Sequence, residues 1–287
     1  MNSQKIICKA TSAEEIRYKE TLGVDGVEWQ IIDKYENYKI DYFGLPIYSV
    51  HTRLCEDREV VIDNIAENFS RSEELTEFTR HEIMKTFKVC EELAQRQGFR
   101  VQLVLHLNNG AFIDKSSIIE FFCPLFELYP DVDIAVENSM LTSKNHIRNG
   151  VLSNDVPDFV VYFRSVVGEK YKNRICSVLD ICHASATIRM INLLYGRDIH
   201  FKEEDSLEQY FKDFQHTCKI VHFNYLRDLG MQPNHGTSMT DTEFRMCYGF
   251  YMKYLAEANL VVEMREFNYH NCINLRKTVK QIRNYHI

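Results

Sequence analysis

Short runs of β-branched and other apolar residues recur along the 287-residue chain, and most are separated by segments in which apolar residues have helical spacing. The runs predict eight strands, at 5–8, 26–30, 47–51, 101–107, 133–137, 175–180, 220–224 and 260–264. The intervening segments predict helices at 12–22, within 57–97, and at 115–128, 156–167, 205–217, 241–258 and 271–284.

The alternation of strands and helices predicts a parallel sheet, because parallel neighbours need a crossover connection. Eight such units in a chain of this length favour a closed (β/α)8 TIM barrel. A doubly wound open sheet is the alternative, but no G-x-G-x-x-G follows the first strand. No Ser/Gly-rich linker or charge block divides the chain, so we expect one domain over residues 1–287.

Composition narrows the class of protein. Hydrophobic residues make up 45% of the chain and charged residues 26%, which is typical of a folded globular protein. The formal charge of −7 argues weakly against a nucleic-acid partner. The apolar stretches fall far short of the ~20 residues that cross a bilayer, and the N-terminus lacks the apolar core of a secretory signal. We therefore expect no membrane contact and a cytoplasmic location. The nine cysteines include no C-x-x-C pair, which predicts reduced and mostly buried thiols.

Seven of the eight predicted strands end in an acidic residue or a histidine. In a TIM barrel the active groups gather at these strand ends. A lone acid or histidine at a strand end is usually a hydrogen-bonded structural group. Several carboxylates in one mouth would repel each other, and a divalent cation with neutral imidazoles resolves that conflict. Such a mixed shell suits zinc, manganese, iron or cobalt. The strand-end residues are Glu28, His51, His106, Glu137, Asp180 with His183, His222, and Glu263 with Glu266.

Seven short motifs occur in an order that resembles the xylose isomerase-like TIM barrels. That superfamily contains sugar phosphate isomerases and epimerases and also endonuclease IV, of AP endonuclease family 2. The resemblance covers residues 5 to about 266, and the most specific pieces are "AVENS" and "LDICHA". The other motifs are "GVDGVEW", "YSVHTR", "LVLHLN", "VHFN" and "LVVE".

The resemblance implies a metal site and two catalytic acids. Glu137, Asp180, His222 and Glu263 match the four ligands of the one-metal members. Three carboxylates and one imidazole make manganese or magnesium plausible beside zinc. In the isomerase and epimerase branch the residues matching Glu137 and Glu263 exchange protons with the sugar, while a bound cation stabilises the developing negative charge.

Substrate contacts also follow from the resemblance and from position. His183 is expected to hold a substrate hydroxyl, and Arg227 could meet a carboxylate or phosphate. Glu28 and Trp29 could line a sugar-binding mouth, although a tryptophan on a half-buried strand more often serves packing. Arg227 has its own alternative as a solvated loop charge.

The nuclease branch implies more metal ligands. The positions matching His51 and His106 join Glu137 at a second metal, and His183 with His235 would belong to a third. Pro233 stands where that branch has an aspartate ligand, which puts the third metal in doubt. The segment after the third strand also lacks the aromatic residue that contacts DNA in that branch.

Three functions remain open at this point. The first is a metal-dependent isomerase or epimerase acting on a sugar, sugar phosphate or polyol. The second is an endonuclease IV-like phosphodiester hydrolase acting on abasic DNA. The third is an oxidative or lyase enzyme with two iron or manganese ions. The sequence leaves the identity of the metal open. One ion is expected, with two or three as alternatives. The choice between a monomer and a homo-oligomer is also open.

Overall fold

A computed structural model describes residues 4–32, 40, 44–54, 73–106, 115–141, 150–196, 202–226, 236–264, 266 and 271–285. Eight parallel strands pair in sequence order, and the eighth pairs with the first to close a barrel. This confirms the predicted (β/α)8 barrel. The strands are β1 Ile6–Ala10, β2 Gly26–Ile32, β3 Ile47–Leu54, β4 Val101–His106, β5 Val132–Glu137, β6 Ile175–Asp180, β7 Cys218–His222 and β8 Asn259–Val262.

Eight α-helices are found in the described part of the chain. One of them, Ile181–Tyr195, is absent from the sequence prediction. Its first two turns are buried on almost every side, so the sequence has no amphipathic stripe there. The helices are α1 Ala13–Glu20, α2 Glu73–Gln97, α3 Lys115–Leu128, α4 Asp155–Val167, α5 Ile181–Tyr195, α6 Glu203–Phe214, α7 Asp241–Tyr254 and α8 Ile273–Asn284.

Helix α5 begins directly where β6 ends. Asp180 is the last residue of the strand and also the N-cap of the helix, because its Oδ1 accepts a hydrogen bond of 2.9 Å from the backbone N–H of His183. His183 therefore lies in the first turn of a helix, whereas the sequence placed it at a strand end. An aspartate can serve both as a metal ligand and as a helix N-cap, so Asp180 alone does not indicate that a helix begins directly after the strand.

One hydrophobic layer lies outside the ring of strands and a second lies inside it. The larger cluster fills the space between the barrel and the helices, with Phe87, Phe122 and Phe163 among its fully buried members. A smaller cluster fills the inside of the barrel, and every member lies on a strand. Because side chains alternate along a strand, β1 and β4 to β8 supply both layers. The inner cluster consists of Ile7, Val104, Ala135, Cys176, Val178, Ile220 and Val261.

The described residues confirm the expectation for the cysteines. Eight cysteines lie in the described part, where all are free thiols and only Cys123 is partly exposed. None of the described helices has the length and the apolar character that crossing a bilayer requires.

The start of β2 depends on a close approach that only glycine permits. A Cβ built on Gly26 would lie 2.4 Å from the Tyr48 ring and 2.6 Å from the carbonyl oxygen of Pro46. We expect Gly26→Ala to destabilise the fold by about 1–3 kcal/mol, because the added methyl group overpacks this junction. Denaturant unfolding measures the change.

Gly249 in α7 provides the matched control, because a Cβ there meets nothing within 4 Å. Gly249→Ala should stabilise the protein by about 0.5–1 kcal/mol through helix propensity. Equal effects of the two substitutions would contradict the crowding at Gly26.

Candidate metal centre

The period of two along each strand places the polar groups of the mouth. A residue of the inner hydrophobic cluster is followed two positions later by a polar residue, so both side chains point into the barrel. The apolar layer thus forms a floor, and the polar layer lies above it at the carboxyl ends of the strands. The pairs are Ile7 with Lys9, Val104 with His106, Ala135 with Glu137, Val178 with Asp180, Ile220 with His222, and Val261 with Glu263.

His222 lies at the centre of this layer and is fully buried. Its Nδ1 atom is 3.1 Å from Glu137 Oε1, 3.6 Å from Asp180 Oδ2 and 3.6 Å from Glu263 Oε2. Its Nε2 atom faces the other way, 3.1 Å from Glu28 Oε1. Four carboxylates from β2, β5, β6 and the end of β8 therefore surround one imidazole.

These contacts shift the pKa values of the buried groups. Burial alone would raise the pKa of Glu137, but His222 and His106 outweigh it and hold that pKa well below its usual value. Burial would likewise raise the pKa of Glu28, yet His222 and Lys9 lower it to about 2. Burial would lower the pKa of His222, and Glu137 with Glu28 raise it well above the ordinary histidine value instead. The lowered pKa values favour the negatively charged forms of Glu28 and Glu137, and such charges attract cations.

Three of the four predicted ligands form a compact group. Ligand atoms of Glu137, Asp180 and His222 all lie within 4.8 Å of one another, which is a spacing that could hold a metal ion. Glu263 contacts His222 from the edge of this group, where its Oε1 is also 3.1 Å from the ammonium group of Lys9. The donors are carboxylate oxygens and an imidazole nitrogen, and this set fits a hard or borderline divalent cation.

A second group shares Glu137. Ligand atoms of His51, His106 and Glu137 also lie within 4.8 Å of one another. His51 Nε2 is 3.0 Å from Glu137 Oε2, and His106 Nε2 is 3.5 Å from Glu137 Oε1. His106 and Glu137 are directly opposite each other in the pairing of β4 with β5. The two histidines thus lie where the sequence predicts a second metal site.

His183 reaches the centre from the first turn of α5. Its Nδ1 is 2.8 Å from the backbone carbonyl oxygen of Asn138 and 3.5 Å from Glu137 Oε1. A carbonyl oxygen only accepts, so Nδ1 carries the hydrogen and the neutral ring has its lone pair on Nε2. That nitrogen can accept a hydrogen bond from a hydroxyl group or bind a metal.

Sequence reasoning missed Lys9, the polar residue of the one strand for which no acid or histidine was found. Its ammonium group lies 3.1 Å from Glu263 Oε1 and 3.7 Å from Glu28 Oε1. The carboxylates raise the pKa of Lys9 even though burial alone would lower it, so it is a fixed positive charge. The signal was its position two residues after the buried Ile7.

Two asparagines that hold Asp180 were also missed. The side chain of Asn138 accepts a 2.6 Å hydrogen bond from the backbone N–H of Asp180 and donates one of 3.1 Å to its backbone carbonyl. Asn224 donates to Asp180 Oδ2 at 3.3 Å. Asn138 directly follows the end of β5 and Asn224 lies two residues after the end of β7, within the motifs "AVENS" and "VHFN".

Of four further residues named from the sequence, two have other contacts and two lie outside the described residues. Trp29 is 2% exposed and belongs to the hydrophobic cluster between barrel and helices, because it alternates with the inward-facing Glu28. Trp29 therefore serves packing, the alternative that the sequence offers for it. Glu266 instead accepts a 2.6 Å hydrogen bond from the backbone N–H of Leu275 in α8. Arg227 and His235 lie outside the described residues.

Comparison with known proteins identifies the fold. Neither the protein-family models nor the sequences of curated proteins match this chain. Among solved structures, a 3-keto-D-glucoside 4-epimerase from E. coli is similar with a TM-score of 0.61 at 15% identity, over 99% of this chain and 100% of that chain. A D-tagatose 3-epimerase-like protein is similar with a TM-score of 0.56 at 12% identity, over 97% and 98% of the two chains.

A fusion protein that joins a xylose isomerase-like TIM barrel to a 4-hydroxyphenylpyruvate dioxygenase is also similar. Its TM-score is 0.52 at 13% identity, over 98% of this chain and 42% of that chain. Identities this low establish the architecture and leave the chemistry to the residues at the mouth. The chain has the fold of the xylose isomerase-like TIM barrels, as its sequence motifs predict.

Proposed function

We propose that this protein is a metal-dependent isomerase or epimerase of a small sugar or sugar phosphate. The observation that carries the proposal is that Glu137 and Glu263 approach the same atom, Nδ1 of His222, from β5 and from the end of β8. Two strands separate β5 from β8 in the barrel. Two carboxylates that meet at one metal-binding point from separate strands suit removal of a proton by one and its return by the other.

The exposed fraction of each side chain indicates which residues of the mouth a substrate reaches first. Glu137 and His222 lie deep in the polar layer, with side chains only 2% and 0% exposed. Glu263 is 17% exposed, His183 14% and Lys9 16%, so a substrate entering the mouth meets these groups first. In this arrangement Glu263 and Glu137 take and return the proton, and His183 Nε2 accepts a hydrogen bond from a substrate hydroxyl.

The metal would be held by Glu137, Asp180, His222 and Glu263. When bound, a divalent cation supplies the positive charge that stabilises negative charge developing on a substrate oxygen. Lys9 places a second positive charge beside Glu263 and keeps one of its oxygens turned towards β1. Manganese, zinc, magnesium, iron and cobalt all remain candidates for the ion, because the donor set accepts each of them.

Proton exchange with solvent provides the direct test. We expect the protein loaded with manganese or cobalt to incorporate deuterium from D2O next to the carbonyl group of a ketose, because an active-site carboxylate that has taken a proton exchanges it with water. NMR or mass spectrometry of a panel of ketoses and their phosphates measures the label. Cleavage of an abasic DNA duplex without any sugar exchange would favour the hydrolase instead.

Removing the charge of Glu137 tests the shared ligand and base. Glu137→Gln should lower the exchange rate by at least about 100-fold, the usual contribution of a positioned general base. Metal content, measured by elemental analysis after dialysis, should fall as well, while the unfolding transition remains cooperative. Glu91→Gln is the control, since Glu91 is a buried acid of α2 that accepts from the Asp131 N–H at the opposite end of the barrel. A fully active and fully metallated Glu137→Gln protein would refute the assignment.

The second group of ligands supports a second candidate function. His51 and His106 meet Glu137 within metal-binding distance, and two ions sharing that carboxylate would suit a phosphodiester hydrolase or an oxidative or lyase enzyme. The isomerase and epimerase proposal uses only the group around His222. The count of bound ions therefore separates the two candidates.

His51→Ala decides between them. For a one-metal isomerase we expect one ion per chain to remain and the rate to fall by about tenfold or less, which is ~1.4 kcal/mol of transition-state stabilisation. For a two-metal enzyme the same substitution should remove one of two ions and nearly all activity. His81→Ala, at an exposed position of α2, serves as the control. Elemental analysis and the exchange assay give both readouts.

A further inference from the structure

We infer that Glu28 is a positioning residue that fixes the hydrogen of His222 on Nε2 and thereby turns the Nδ1 lone pair towards the metal. The inference rests on the proposed metal centre and assigns a role to a residue that contacts neither a metal nor a substrate. Glu28 is fully buried, so it lies beneath the mouth rather than on its surface.

The contacts of Glu28 are directional. Its Oε1 and Oε2 lie 3.1 Å and 3.3 Å from His222 Nε2. The Ser49 hydroxyl donates a 2.7 Å hydrogen bond to Oε2, and the Lys9 ammonium group is 3.7 Å from Oε1. Neighbouring strands on both sides of β2 thus hold the carboxylate in place, and Lys9 is directly opposite Glu28 in the pairing of β1 with β2.

The chemistry of the two ring nitrogens follows from these contacts. An ionised carboxylate only accepts hydrogen bonds, so Nε2 next to Glu28 must carry a hydrogen. An imidazole that binds a metal through one nitrogen keeps its hydrogen on the other, and because Glu28 holds that hydrogen on Nε2, Nδ1 supplies the lone pair that a metal needs. Nδ1 is the nitrogen that faces Glu137, Asp180 and Glu263.

Without Glu28 the preference would reverse. The carboxylates around Nδ1 also only accept, and without a partner for Nε2 they would favour a hydrogen on Nδ1, where it competes with the metal. Carboxylates that accept from metal-binding histidines fix ring orientation and raise ligand basicity, and their loss typically weakens metal affinity by about 10–100-fold. Glu28 therefore acts on the metal through His222.

The first measurement uses the unaltered protein. Histidine labelled with ¹⁵N, with the His222 signals assigned by comparison with His222→Asn, reports which ring nitrogen carries the hydrogen after addition of Zn²⁺. We expect a protonated Nε2 and a metal-bound Nδ1. A Zn²⁺-bound Nε2 with the hydrogen on Nδ1 would overturn the inference without any change to Glu28.

The second measurement is the dissociation constant for Zn²⁺, obtained by competition with a chelator in the absence of sugar. Glu28→Gln keeps the size of the side chain and removes its charge, and we expect Zn²⁺ to bind about 10–100-fold more weakly. Ser49→Ala leaves the Glu28 carboxylate in place, so its loss of affinity should be smaller. Glu91→Gln should bind Zn²⁺ as the unaltered protein does.

The outcomes separate this inference from the proposed function. Unchanged Zn²⁺ affinity in a folded Glu28→Gln protein refutes the role of Glu28 and leaves the isomerase proposal standing. Failure of the unaltered protein to bind any divalent metal refutes both. If Glu28→Gln does not fold, the ¹⁵N signals of the unaltered protein still decide the tautomer of His222.

Discussion

Buried carboxylates crowd around one imidazole, and the electrostatic cost of this crowding is the constraint on which the mouth of the barrel depends. Like charges in a medium of low dielectric repel strongly, so the cluster needs compensating positive charge. Within the described chain that charge comes from His222 and Lys9, and a divalent cation would add the rest. The four carboxylates are those of Glu28, Glu137, Asp180 and Glu263.

The barrel makes this crowding possible because it keeps its apolar floor and its polar mouth on the same strands. Ala135 and Val178 fill the interior, and Glu137 and Asp180 stand two residues further along the same strands. Burial of the floor fixes the register of the strands that form it, since a slip of one residue would turn their polar strand-end side chains towards the helices. Core packing and site geometry are therefore set by the same alternation.

The alternation of side chains along the strands explains how much of the site the sequence predicts. Strand-end acids and histidines could be identified because alternation and parallel pairing bring them to one end of a barrel, and His222 does meet Glu137, Asp180 and Glu263 there. Lys9 was missed because a lysine on a strand usually belongs to the solvent face.

The errors have a common origin in tertiary context. For Trp29 the sequence leaves both a place at the mouth and a packing role open, because it does not say which of two neighbouring side chains, Glu28 or Trp29, points inwards. Helix α5 was missed because its first two turns are buried nearly all round. The contacts of Asn138 and Asn224 with Asp180 cross between strands, and no local pattern predicts them. What a residue contacts across the barrel depends on pairing partners 40 or more positions away.

The two oxygens of a single carboxyl group have different partners in Asp180 and in Glu263, and this affects how many donor atoms each group offers to a metal. One oxygen of Asp180 is committed to the start of α5, and one oxygen of Glu263 is committed to Lys9. Each side chain can therefore bind an ion in monodentate fashion without giving up its structural partner. An ion with octahedral preference, such as magnesium, would keep positions open to water or substrate if the four side chains each gave it one donor atom.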